Sequence, residues 1–86
     1  MIYKINFIEA AEKDLHKLSK KVAKSIILKI WLFLEVNPWP HGKNLKNLQG
    51  KENCYRLRIS DYRVLYKIQG DQVIIFSVGH RREVYR

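Results

Sequence analysis

The chain has 86 residues and a formal net charge of +9, and its apolar share of 47% is enough to build a core in so short a chain. That length allows one domain, residues 1–86, burying only roughly 60–65% of its unfolded surface, and the single cysteine, Cys54, excludes an internal disulfide and fits a reducing compartment. Residues 26–36, interrupted by Lys29 and Glu35, fall short of a membrane span, and the early acids of "MIYKINFIEAAEKD" exclude a signal or transit peptide, so a soluble cytoplasmic domain is expected.

Residues 2–7 alternate Tyr3, Ile5 and Phe7 against Lys4 and Asn6, which predicts a half-buried strand. From Ile8 the period changes. Ile8, Ala11, Leu15 and Leu18 recur at spacings of three and four, the signature of an amphipathic helix. Ser19 is suited to cap a second helix. Its expected apolar face is Val22, Ile26, Ile30, Phe33 and Leu34, widened by Ala23, Ile27 and Trp31. "NPWP", residues 37–40, ends that helix, because proline lacks the amide N–H and restricts the residue before it. Residues 41–53, "HGKNLKNLQGKEN", read as a polar connection tethered by Leu45 and Leu48.

"YRLRISDYRVLYKI", residues 55–68, reads as two strands joined by the loop Ser60–Asp61. That loop pairs Ile59 with Tyr62, Arg58 with Arg63, Leu57 with Val64 and Tyr55 with Tyr66. Tyr55, Leu57, Ile59, Tyr62, Val64 and Tyr66 then share one apolar face, and Arg56, Arg58 and Arg63 share the other. Like charges directly opposite each other destabilise a sheet by some tenths of a kcal/mol, which points to an anion held between them. "QGDQ" makes the next turn. "VIIFSV", residues 73–78, is apolar on both faces and predicts a strand in the middle of the sheet or under helices. The whole is an α+β fold of order β-α-α-β-β-β, with a helical hairpin on one face of a mainly antiparallel four-stranded sheet.

The distribution of charge carries more than its sum. All six arginines lie from Arg56 onward, whereas ten of the eleven lysines precede residue 52. A guanidinium is a planar fork matched to phosphate oxygens, so arginine gathered on one sheet and its tail points to nucleic acid. Other chemistries lack their parts. His16, His41 and His80 are widely separated, Cys54 has no CxxC partner, and the four glycines are scattered, so neither a metal nor a nucleotide cofactor is expected. In the tail "GHRREVYR", His80 stands among arginines and is the candidate general base, since histidine's ordinary pKa lies closest to working pH. Tyr85 is a candidate stacking plate for a base. These are parts of a metal-free ribonuclease. RNA supplies its own nucleophile, the 2′-hydroxyl, and the protein need only align it, neutralise the transition state and move protons.

"CYRLRISDYRVLYKI" followed by "VIIFSVGHRREVYR" resembles the C-terminal half of toxins of the RelE/ParE superfamily, on the RelE side, and the N-terminal order of strand and helical hairpin agrees. The joint pattern of Y-R-x-R, D-Y-R and G-H-R-R-E-V-Y is specific. The resemblance implies the toxin of a type II toxin–antitoxin pair, one that enters the ribosomal A site and cleaves mRNA by metal-free 2′-hydroxyl attack. It implies catalytic roles for Arg56, Arg58, Arg63, His80, Arg81 and Tyr85, with Lys43, Lys46, Arg82 and Arg86 extending the RNA-binding surface. Some relatives carry lysines where Arg56 and Arg58 stand, one of them assigned as general base. Arginine cannot give up its proton there. Either the base role passes to His80, or Arg56 and Arg58 only stabilise charge. The partners implied are the ribosome, mRNA and an acidic antitoxin covering the arginine face or displacing the tail. The alternative is a ParE-like toxin that shares the fold, has no enzymatic activity and binds DNA gyrase.

Overall fold

The computed structural model describes residues 2–48, 50 and 52–84. The elements run β1 (Lys4–Phe7), α1 (Glu9–His16), α2 (Lys20–Leu34), β2 (Leu45–Asn47), β3 (Cys54–Ile59), β4 (Tyr62–Gln69), β5 (Gln72–His80) and α3 (Arg81–Val84). Among the described residues the strands form one sheet in the order β1-β5-β4-β3-β2. β1 runs parallel to β5, and every other neighbouring pair is antiparallel. No described helix is long and apolar enough to cross a membrane.

The helical hairpin forms as expected. The Ser19 hydroxyl accepts the Val22 N–H at 3.2 Å and caps α2. Ile26, Ile30 and Leu34 of α2 and Ala11 and Leu15 of α1 cover one face of the sheet. Against them pack Ile5, Tyr55, Leu57, Ile59, Val64, Tyr66, Ile68, Val73, Ile75 and Val78. The buried line of α2 is narrower than its apolar sequence, for Trp31 and Phe33 are exposed. The sheet has five strands rather than four. Leu45–Asn47, inside the expected connection, pairs with β3 as Leu45↔Leu57, Lys46↔Arg56 and Asn47↔Tyr55. Three residues are too few for alternation to stand out in sequence.

The hairpin of β3 and β4 has the derived register throughout, from Tyr55↔Tyr66 to Ile59↔Tyr62. Its loop needs a left-handed residue, and Ser60 supplies it with φ +57°. β5 lies between β1 and β4, as its apolar run suggests. The reason for that run differs from the expected one. Tyr66 pairs with Ile75 and Leu65 with Ser77, so Phe76 is a one-residue bulge. The bulge reverses the phase of β5. Val73 and Ile75 face the helices before it and Val78 after it, while Ile74 and Phe76 on the other side are half-buried. The β1–β5 register ends at Phe7↔Ile75. Beyond that point α1 takes over, and Asp14 Oδ2 accepts the Val78 N–H at 3.0 Å.

The loop after α2 is tied to the sheet by aromatic residues. Pro38 is fully buried, and its carbonyl accepts the Tyr66 hydroxyl at 2.6 Å. Trp39 meets Tyr55 edge-on at 5.9 Å and donates its indole N–H to the Tyr3 hydroxyl at 2.8 Å. Burial, with Tyr55 adding to it, pushes the Tyr66 phenol above its ordinary range. Above the ordinary tyrosine value, about 10, the unfolded chain ionises this phenol and the folded chain does not. Stability is therefore expected to fall as pH rises beyond that point, by up to about 1.4 kcal/mol per unit. Tyr66→Phe should flatten that slope and, at pH 7, cost about 1–3 kcal/mol by stranding the Pro38 carbonyl. Urea unfolding across pH 7–11 measures both, and an unchanged midpoint with an unchanged alkaline slope would assign the hydroxyl no role.

Candidate nucleic-acid interface

Because side chains alternate along a strand, the register maps the sheet face away from the helices. One row across it is Arg58↔Arg63↔Gly79, and the next is Lys46↔Arg56↔Leu65↔Ser77. Lys67 follows on β4, opposite Cys54 and Ile74. Arg58 and Lys46 are exposed, and Arg56 and Arg63 are half-buried. Arg58 and Arg63 are cross-strand neighbours on the open face, as the sequence predicts. Gly79 stands beside Arg63 in that row; it is buried and contributes no side chain.

The turn carbonyls hold the two guanidinium groups. Arg58 Nε donates to the Ser60 carbonyl at 3.4 Å, and Arg63 Nη1 donates to the same oxygen at 3.3 Å. Arg63 Nη1 also reaches the Tyr62 carbonyl at 3.1 Å. These acceptors are neutral, so they orient the forks without cancelling their charge. Neither Arg58 nor Arg63 takes part in the ion pairs Lys4–Asp71 and Lys13–Glu9. Fixed, uncancelled guanidinium groups are what an incoming phosphodiester needs.

The tail returns to the same end of the sheet. The Arg81 N–H donates to the Asp61 carbonyl at 2.9 Å, which ties the start of α3 to the hairpin loop and brings exposed Arg81 and Arg82 to that end. Asp61 is also exposed at this end. Lys43 is exposed just before Asn44, whose carbonyl accepts the Arg58 N–H at 2.7 Å. Tyr85 and Arg86 lie outside the described residues.

His80 is not where simple alternation puts it. It pairs with Tyr62, in the row of Ile59, and its ring meets the Tyr62 ring edge-on at 5.8 Å. That row faces the helix side, opposite Arg58 and Arg63, because the bulge at Phe76 has shifted the phase of β5. Its Nδ1 accepts the Arg82 N–H at 3.3 Å. A backbone N–H can only donate, so the neutral ring carries its hydrogen on Nε2. Leu65 was missed in sequence. It is only 5% exposed yet lies on the arginine face, giving that cationic surface an apolar centre. The signal was available, since Leu65 shares parity with Arg63 and Lys67.

Comparison with known proteins agrees with this fold. Residues 5–85 match the family model of the ParE toxin of the type II toxin–antitoxin system parDE. The chain is 33% identical to toxin RelG of Mycobacterium tuberculosis, covering 100% of this chain and 99% of that one. It is 36% identical to the mRNA interferase toxin RelE of Escherichia coli, covering 99% and 92%. In structure it is similar to a free double arginine-to-alanine mutant of E. coli RelE, with a TM-score of 0.80, 27% identity and coverage of 99% and 92%. It is also similar to the RelBE2 toxin–antitoxin complex of M. tuberculosis, with a TM-score of 0.76, 28% identity and coverage of 94% and 100%. The chain thus belongs to the ParE toxin family of type II toxin–antitoxin systems, as a toxin of the RelE kind.

Proposed function

We propose that this toxin is an endoribonuclease that cuts mRNA in the ribosomal A site without a metal ion. The observation that carries the reading is the Arg58–Arg63–Gly79 row, with two guanidinium groups oriented by the Ser60 carbonyl. The mRNA interferase name of the E. coli relative supports it. The RNA 2′-oxygen attacks the adjacent phosphorus, the bond to the 5′-oxygen breaks, and a cyclic phosphate and a 5′-hydroxyl result. One proton leaves the 2′-hydroxyl and one reaches the 5′-oxygen. Arg58 and Arg63 neutralise the phosphorane-like transition state, with Arg81 closing from the tail. Arg56, Lys43, Lys46, Arg82 and Arg86 hold the backbone, and Tyr85 stacks on a base. Gyrase binding, suggested by the ParE name of the family model, makes no use of a phosphate-sized row of arginines.

His80 is the candidate base, but its Nδ1 lone pair is engaged and its Nε2 carries the hydrogen. It can take the 2′-proton only if substrate draws the tail away. The geometry favours a positioning role, in which His80 holds the start of the tail and the proton leaves through Tyr85, ribosomal RNA or water. The antitoxin partner is supported by the solved relatives from M. tuberculosis and Pyrococcus horikoshii, both toxin–antitoxin complexes. An acidic segment, disordered alone and folding on this cationic face, fits it.

Mapping mRNA 5′ ends after adding the purified chain to translating ribosomes tests the reading. New ends within A-site codons are expected, and intact mRNA with inhibited gyrase would transfer the chain to the other reading. Arg63→Ala and Arg81→Ala should each lower cleavage roughly ten- to hundredfold, with the fold intact, as expected for charge-assisted contacts of ~1.5–3 kcal/mol made in the transition state. Full toxicity in both variants would make these arginines surface decoration.

His80→Asn separates the two roles of the imidazole, because its amide oxygen can still accept the Arg82 N–H but cannot take a proton. A positioning role predicts near-normal single-turnover rates and an unchanged pH profile in His80→Asn, with a slower His80→Ala. Loss of roughly 10²–10⁴-fold in both variants, together with one ionisation of the profile, would restore the base role.

A further inference from the structure

Helix α1 turns a carboxylate toward the sheet. Asp14 lies three residues after the buried Ala11 and shares its side of the helix. Its charged neighbours Glu12, Lys13, His16 and Lys17 are exposed, whereas Asp14 is half-buried. It takes no part in the ion pairs Lys4–Asp71 and Lys13–Glu9. Its Oδ2 accepts instead the N–H of Val78, at 3.0 Å and 64 residues further along the chain. A carboxylate drawn partly out of water is costly unless hydrogen-bonded, and here its partner is main chain rather than a cation.

β5 has strands on both sides only as far as Phe7↔Ile75, where the Ile8 N–H donates to the Ile75 carbonyl at 3.0 Å. Phe76 is the bulge, so Val78 lies past both the last β1 partner and the break in the β4 register. Val78 is only 3% exposed, and a buried N–H left without an acceptor is costly. Gly79 follows in the row of Arg58 and Arg63. Arg81 then begins α3 with its N–H on the Asp61 carbonyl at 2.9 Å. The segment from Val78 to Arg81 is thus held at its start by a helix carboxylate and at its end by the hairpin loop.

We propose that Asp14 is a positioning residue for RNA cleavage: by holding the Val78 N–H it fixes where Arg81 stands relative to Arg58 and Arg63. The catalytic part of this rests on the nuclease reading above, and the anchoring part does not. The working element is the acceptor oxygen and not the negative charge, because a carboxylate facing an RNA phosphate would repel it. Asp14 touches no reacting atom. It acts through the strand, where a misplacement of about 1 Å introduced far from the chemistry costs up to roughly 10²-fold in rate.

Single-turnover cleavage on mRNA-programmed ribosomes, with the full chain at increasing concentration, separates the maximal rate from the concentration at half-maximum. Asp14→Ala should lower the maximal rate roughly ten- to hundredfold and leave the half-maximal concentration unchanged. Asp14→Asn, whose amide oxygen can still accept, should cleave at close to the wild-type rate. In an Arg81→Ala background, Asp14→Ala should cost no more than about twofold further, because the two act as a unit. Losses that multiply would leave Asp14 a role in general stability only. Amide hydrogen exchange reads the same anchor without any cleavage. Asp14→Ala should lose protection at Val78 and at Arg81, and Asp14→Asn should keep both. If Asp14→Ala does not fold, Asp14→Leu, similar in size and without an acceptor, takes its place in both assays. Full protection at Arg81 once Val78 is released, or a normal rate in Asp14→Ala, would overturn the proposal. Equal losses in Asp14→Asn and Asp14→Ala would too, because charge would then be the cause. If the wild-type chain cuts no mRNA, the nuclease reading falls by itself, and exchange at Arg81 still decides whether Asp14 anchors the tail.

Discussion

A one-residue bulge at Phe76 fixes which side chains meet at the arginine-bearing end of the sheet. Before it β5 turns Val73 and Ile75 toward the helices, and after it Val78 takes that side. Val78 in the core means Gly79 beside Arg63 and His80 against Tyr62. Without the extra residue the same strand would bring an imidazole to the arginine face and a glycine to the core. Bulges commonly sit next to functional sites because they re-aim side chains at small energetic cost. The Asp14 carboxylate holds the re-aimed segment, supplying the acceptor that β1 is too short to provide.

Opposed arginines on a sheet carry an electrostatic penalty, and the turn absorbs part of it. Ser60 adopts the left-handed conformation a tight hairpin requires, and its carbonyl accepts from both Arg58 and Arg63. A residue other than glycine in that region is mildly strained, and here the strain coincides with the convergence of two cations. The arrangement keeps both charges available and gives them defined directions, which preorganised electrostatic stabilisation demands. Leu65 at the centre of the same face lowers the local dielectric around them.

Most of this could be read from the chain before its shape was known, and the exceptions share a cause. The hairpin register was legible because alternation over a dozen residues and a two-residue loop permit one pairing that keeps every apolar side chain together. The Ser19 cap and the "NPWP" stop were legible because their chemistry is local. Leu45–Asn47 was hidden by its brevity. The bulge was hidden because "VIIFSV" reads alike whether a strand is buried on both faces or slips phase in the middle. Trp31 and Phe33 were assigned to the core because period alone does not tell a helix face covered by its own chain from one left exposed. The arginine row was thus foreseen, while the side of the sheet taken by His80 was not.

The parallel pairing of β1 with β5 joins residues 4–7 to residues 72–75, far apart in sequence. A nascent chain emerges from its N-terminus, so Lys4–Phe7 must wait, edge exposed, until Gln72–Ile75 has been made. Gly79 and Arg81 follow that segment, and the Asp61 carbonyl that receives the Arg81 amide is idle until they arrive. The arginine surface is therefore complete only once β5 has joined β4 and the Asp61 carbonyl has received the Arg81 amide.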